Sequence, residues 1–459
     1  MPKEVAAFSI EPFEGSPSRA DSLLFALLCL FPVFAAVLFG GVDAITWAMV
    51  PLLWAGVVLI WLFRSWYSGG LVLNTDALQL PLLGLILIGV IQLLPLGGSA
   101  PGGLVSTTVS SALTLDPYAT RLFLIKLIVY LTFFAACLTF INSEGRLKKT
   151  VALIVIFGTV LAFIGILQRL SNPDAIYGLR ETPHAEPFGP FVNQHHFASF
   201  MQMTSGLAAA MLLGVEGREK KALLGFALAL MAIGTVWTGS RGGLIGFVSV
   251  MVFVGVASFF NGKDEKAPAN GGRMAVAIGS AAFLFVVLGA ILFLGGADRM
   301  LRSIGINNPS GDITTGRAHY WSVAWQIFLD HPVIGAGLEA FGVAYPHYDT
   351  LNGTLHAQQA HNDYLQTLSD AGVIGLVMVA AFIVLLFSKG LKMVQRSTGF
   401  RRAAAVGSLA GCFGILVHSF FDFPLRTPSN AFFFLMLTAV AVVPVVIDEH
   451  KPHRRHSRG

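Results

Sequence analysis

Seven residues, Ala360-His-Asn-Asp-Tyr-Leu-Gln366, set a histidine beside an amide, a carboxylate and a phenol at the edge of a long apolar run. Histidine has an unperturbed pKa of about 6.5, so His361 at the mouth of a membrane cavity suits taking a proton from a hydroxyl and releasing it again. A lone histidine is more often structural, and local spacing leaves both roles open. Two arginines stand in glycine-containing segments, Arg241 in Thr238-Gly-Ser-Arg-Gly-Gly243 and Arg317 in Gly316-Arg-Ala-His-Tyr-Trp321. A planar guanidinium grips phosphate through two parallel hydrogen bonds, which suits recognition of a diphosphate.

Other chemistries find no foothold. There is no glycine-rich phosphate loop opening a helix after a strand, no His-Glu-x-x-His pair and no paired acidic motif for a metal and a nucleotide-sugar. His195/His196 and His356/His361 lack metal-ligand spacing on a helix. No metal, cofactor or nucleic-acid partner is therefore expected, and a cytosolic sugar-nucleotide donor is disfavoured.

The elements that hold these residues lie in a bilayer. Of 459 residues, 55% are apolar and 12% charged, against about 25% charged in a soluble domain. Apolar runs near 22–40, 44–63, 77–95, 122–141, 150–167, 195–215, 221–237, 242–260, 274–295, 372–388, 403–421 and 429–447 predict an all-α integral membrane protein with about twelve transmembrane helices. The first run has no small-residue cleavage site behind it and reads as a retained helix. Cys29, Cys137 and Cys412 fall inside spans, where packing is their expected role.

Cytoplasmic loops hold an excess of Lys and Arg. With the N-terminus inside, inner segments carry 21 of the 30 basic residues and outer segments 8, Lys126 within the fourth span being the last. Both termini are then cytoplasmic: 1–21 is an inner segment, 22–295 holds spans one to nine, 296–371 is a large periplasmic loop, 372–447 holds spans ten to twelve, and 448–459 is a basic tail. The outer basic residues, among them Arg299, Arg302 and Arg426, are all arginine. Snorkelling to headgroups is the simpler role for any one of them.

Outer segments 168–194 and 296–371 are too long to be mere connections. In the second, Trp321, Trp325 and Phe328 recur at helical spacing, predicting a helix that lies in the membrane interface or packs against other outer segments. His361, Leu365 and Leu368 are expected on one helical face.

Five pieces in order resemble the bacterial O-antigen ligase and polymerase family: Phe188-Gly-Pro-Phe-Val-Asn-Gln-His-His-Phe-Ala198, Thr238 to Gly243, Gly316-Arg317 with Trp321, His331-Pro-Val-Ile-Gly-Ala-Gly337, and Ala360 to Gln366. The likeness runs from about 150 to 440. It implies transfer of a glycan from an undecaprenyl-diphosphate donor to an acceptor hydroxyl at the periplasmic face of the bacterial inner membrane, with Arg241, Arg317 and His361 at the family's essential positions. Arg299 or Arg302 is a candidate to take part of the Arg317 role at the diphosphate, and Asn193, His195, His196, Asn362 and Tyr364 are candidate supports for the sugar. The acceptor is lipid A core for a ligase or a growing polysaccharide for a polymerase. A flippase or transporter is the reading from another class, but no internal repeat appears and Lys126 is the only basic residue inside a span. Twelve spans form a complete fold, so a monomer is the default.

Overall fold

In hydrocarbon the backbone has no hydrogen-bonding partner but itself, so long apolar runs become helices. The computed structural model describes residues 18–97, 111–172, 174–182, 185–259, 316–351, 353 and 357–445. Its helices are α1 (Arg19–Val37), α2 (Ala44–Ser68), α3 (Gln79–Gln92), α4 (Pro117–Phe140), α5 (Glu144–Ser171), α6 (Gln194–Gly214), α7 (Arg218–Trp237), α8 (Arg241–Phe259), α9 (Arg317–Asp330), α10 (Phe341–Tyr348), α11 (Asp363–Arg396), α12 (Gly399–His418) and α13 (Pro428–Val442). Among the described residues nine are long and apolar enough to cross a membrane, and α3 and α13 are shorter apolar helices. The chain is thus an all-α polytopic membrane protein. The expected span near 274–295, Arg299, Arg302, His356, most of segment 1–21 and the basic tail lie outside the described residues.

Polar residues set the helix starts. Ser18 and Asp21 form a reciprocal capping box on α1, Asp116 caps α4 with Pro117 in its first turn, and Ser143 caps α5. Helix α6 is the axis of the bundle, buried along almost its whole length. Glycines let α12 approach it: a Cβ on Gly206 would sit 2.6 Å from the Gly407 carbonyl oxygen, and one on Gly411 2.5 Å from that of Met203. Small residues at such crossings bring two backbones into van der Waals contact, the main source of helix association in lipid.

One boundary differs from the sequence reading. Helix α11 begins at Asp363 instead of near 372, and Gly372, with φ 63° and ψ −164°, breaks it where the span was expected to start. The segment His331 to Gly337 lies against this break. Ala336 N–H donates to the Ser369 carbonyl, Gly337 N–H to that of Asp370, and Val373 N–H to that of Pro332. A Cβ on Gly335 would come within 2.2 Å of the Asp370 carbonyl carbon, so only glycine admits the crossing. Gln92, at the end of α3, closes it: its amide nitrogen donates to the carbonyls of Ile334 (2.6 Å) and Asp370 (2.8 Å), and its oxygen accepts from Leu338 N–H (2.9 Å).

Candidate active site

His361 precedes α11 instead of lying on a helical face with Leu365 and Leu368, because Asn362 is the helix cap. The Asn362 side-chain oxygen accepts from Tyr364 N–H and Leu365 N–H, and its nitrogen donates to the Phe420 carbonyl at 2.9 Å. His361 itself has φ +51°, a conformation few non-glycine residues adopt and one that surrounding contacts must enforce. Helix α9 supplies them. The Tyr320 ring stacks on the His361 imidazole with centroids 5.7 Å apart, and the Trp321 indole donates to the His361 carbonyl at 3.3 Å. Trp321 is therefore turned toward the site, while Trp325 is exposed and packs on Phe328.

Arg317, one turn before Tyr320 and Trp321, meets the same place through a residue no motif marked. Asp422, in the turn after α12, is buried, with its side chain 1% exposed. Its Oδ1 lies 3.2 Å from His361 Nδ1, and its Oδ2 lies 3.5 Å from the Arg317 guanidinium. Burial alone would raise the Asp422 carboxyl, but the His361 hydrogen bond and the positive fields of His195, Arg317 and His361 outweigh it and hold the carboxyl well below its ordinary range. An ionised carboxylate only accepts, so Nδ1 carries the His361 proton and Nε2 keeps the lone pair of a base. The imidazole is 28% exposed. Phe423 packs edge-on against both His361 and His196.

Arg241 opens α8. Ser240 caps that helix by accepting from Gly243 N–H at 3.0 Å, and Gly239, at φ +68°, turns the chain into it. Next to Arg241, Gly242 lies so close to the following turn that a Cβ on it would meet the His418 ring at 2.6 Å and Phe421 Cβ at 3.2 Å. The arginine thus enters beside the Asp422 turn.

The other expected residues divide. His195 is half-buried and near enough to Asp422 for its charge to be felt there. His196 is buried, and its Nε2 has no hydrogen-bond partner among the described residues. Asn193 caps α6, accepting from His195 N–H, and Asn362 caps α11, so in both the side-chain oxygen is already engaged. The Tyr364 hydroxyl donates to the Leu416 carbonyl at 2.8 Å and its ring packs on Phe420, which turns it to an apolar cavity of about 180 Å³ between α3, α4, α11 and α13. Among the described residues no three His, Cys, Asp or Glu side chains are grouped to hold a metal ion.

Below this site lies a buried ionic cluster. Arg426 meets Glu339 at 3.0 Å, Asp370 at 2.8 Å and Asp363 at 4.0 Å. Asp363 also accepts from the Ser419 hydroxyl, so the cluster fixes the start of α11 to the Asp422 turn. Lys126 feels the charges of Glu339 and Arg426 and lies over the Trp47 ring. Arg426, read from the sequence as one of several headgroup-level arginines, is thus an internal strut.

Comparison with curated proteins finds no match. Residues 226–380, which carry Arg241, Arg317 and His361, match the family model Wzy_C, described as O-antigen ligase, and over that stretch the chain is similar to that family.

Proposed function

We propose that this protein moves a glycan from a polyprenyl diphosphate to an acceptor hydroxyl, with lipid A core as the acceptor, at the periplasmic face of the inner membrane and without a metal. The observation that carries this reading is Asp422, whose two oxygens meet His361 and Arg317 from opposite ends of a 45-residue stretch. An Asp–His pair in which the carboxylate fixes the tautomer is a general base, here for the acceptor O–H. The acceptor oxygen attacks the anomeric carbon as the bond to the diphosphate oxygen breaks, His361 Nε2 takes the proton, and configuration inverts. Negative charge grows on the leaving diphosphate, and Arg241 and Arg317 stabilise it there, which helps the transition state more than the ground state. His195 and His196 flank the sugar. The count of basic residues in alternate loops supports the periplasmic side, and the likeness of residues 226–380 to O-antigen ligase favours a ligase over a polymerase with the same chemistry.

The test is transfer by purified protein from a polyprenyl-diphosphate oligosaccharide to lipid A core, with a second donor molecule as the alternative acceptor. Transfer to lipid A core that is lost in His361→Ala is expected. Chain extension of the donor instead makes the protein a polymerase, and donor movement across liposomes without transfer makes it a flippase. Transfer unaffected by His361→Ala removes that histidine from the mechanism.

A further inference from the structure

Two buried polar residues that belong to none of the motifs lie directly beneath Arg241. The Gln202 amide nitrogen, on α6, donates to the Gly243 carbonyl at 2.5 Å, lies 3.5 Å from that of Gly242, and is 3.3 Å from His418 Nδ1. Gln202 occupies a groove that glycine opens in α8, since a Cβ on Gly246 would meet its side-chain oxygen at 2.6 Å. An amide nitrogen only donates, so His418 Nδ1 accepts and the ring proton sits on Nε2. His418 then touches two turns at once. Its ring lies against Gly242, while its backbone carbonyl accepts from Phe421 N–H at 2.8 Å and Asp422 N–H at 3.1 Å.

We infer that Gln202 and His418 are positioning residues that set the Arg241 turn in register with the Asp422 turn, and so place one guanidinium relative to the other diphosphate ligand and the base. The inference rests on the reading above that Arg241 engages the donor diphosphate. Gln202 holds the first turn of α8 by its carbonyls and, through Nδ1, holds the rotation of the His418 ring on which that turn sits. A shift of about 1 Å at a reacting centre costs on the order of a hundredfold in rate, so a device fixing two turns against each other matters to the chemistry without touching substrate. Residues that merely fill space here lower stability when changed but leave the partnership of Arg241 with phosphate intact.

The experiment measures binding of undecaprenyl diphosphate to the full-length protein in nanodiscs, which reads the diphosphate site whether or not transfer occurs. Arg241→Ala is expected to weaken binding about tenfold, the loss of a charge-assisted hydrogen bond. Gln202→Leu and His418→Leu, which keep the volume and remove the hydrogen bond, weaken it about threefold, and neither weakens it further in the Arg241→Ala background. His418→Asn, which puts an acceptor where Nδ1 stands, retains more affinity than His418→Leu. Should Gln202→Leu not fold, Gln202→Met decides, because it keeps the length of the side chain and cannot donate to Gly243. Wild-type affinity in the Gln202 variants, or losses that multiply with that of Arg241→Ala, overturns the positioning role alone. Wild-type affinity in Arg241→Ala overturns the donor-binding reading and the inference with it.

Discussion

At the scale of single residues, the site turns on a carboxylate. Asp422→Asn keeps the size of the side chain but removes the charge that fixes the His361 tautomer and faces Arg317. Transfer is expected to fall about a hundredfold or more with the unfolding temperature lowered only modestly, read by initial rates beside a thermal melt. The same carboxyl gives a pH signature. Its folded-state pKa is depressed, as is that of Glu339, where burial raises the carboxyl but Arg426 and Lys126 lower it further. A group with a depressed folded pKa contributes stability that is present above its unfolded value and lost as pH falls through the folded one. Thermal stability in detergent is therefore expected to decline below about pH 4, and Asp422→Asn flattens part of that decline. A wild-type curve without it would contradict the pairing. His361, Arg241 and Arg317 stood out in the sequence because they sit in short polar islands. Asp422, Gln202 and His418 did not, since each lies in or just beside an expected span and only the fold shows what it faces.

Elements carry a different kind of information. The helical spacing of Trp321, Trp325 and Phe328 predicted α9 correctly, yet it gave no sign that Tyr320 and Trp321 hold His361 while Trp325 faces outward. Spacing along a helix says which residues share a face, not what the face meets. The start of α11 was misplaced because hydropathy sees the apolar run after Gly372 and not the polar first turns capped by Asn362. How the long loop is fastened was hidden too, since Gln92 bonds residues some 240 positions away. Gln92→Leu takes the partner from the Ile334 carbonyl and the Leu338 N–H, while the Asp370 carbonyl keeps Gly337 N–H, and the loss is expected to cost about 2–4 kcal/mol, measured by thermal or denaturant unfolding. Gly335→Ala places a methyl group on the Asp370 backbone at φ +77°, and it is expected to prevent a stable fold. A variant of normal stability would mean the crossing is looser than drawn.

For the whole molecule, eleven of the twelve expected spans have a counterpart among the described helices, two of them short, because the apolar run is the strongest signal a membrane sequence carries. The side on which the site lies is testable from the geometry. Arg180 of the small antiparallel ribbon Ala175–Ile176/Arg180–Glu181 pairs with Asp43 at the start of α2, and Tyr67 stands at the far end of that helix. Leu179 and Tyr67 are both exposed, and Cys29, Cys137 and Cys412 are buried. A membrane-impermeant maleimide is expected to label Leu179→Cys in spheroplasts and Tyr67→Cys only after the membrane is opened. The reverse pattern would put the site on the cytoplasmic face.

The backbone pairing of Pro332–Gly337 with Ser369–Val373 also bears on how such a protein can change over time. Main-chain bonds are indifferent to the side chains they carry, so outward residues of this segment such as Val333, 57% exposed, are free to drift without disturbing the frame. Gly335 and Gly372 are not. A scaffold tied down at its glycines leaves its rim open to novelty, and a descendant lineage can meet a new acceptor surface while the old chemistry stays in place.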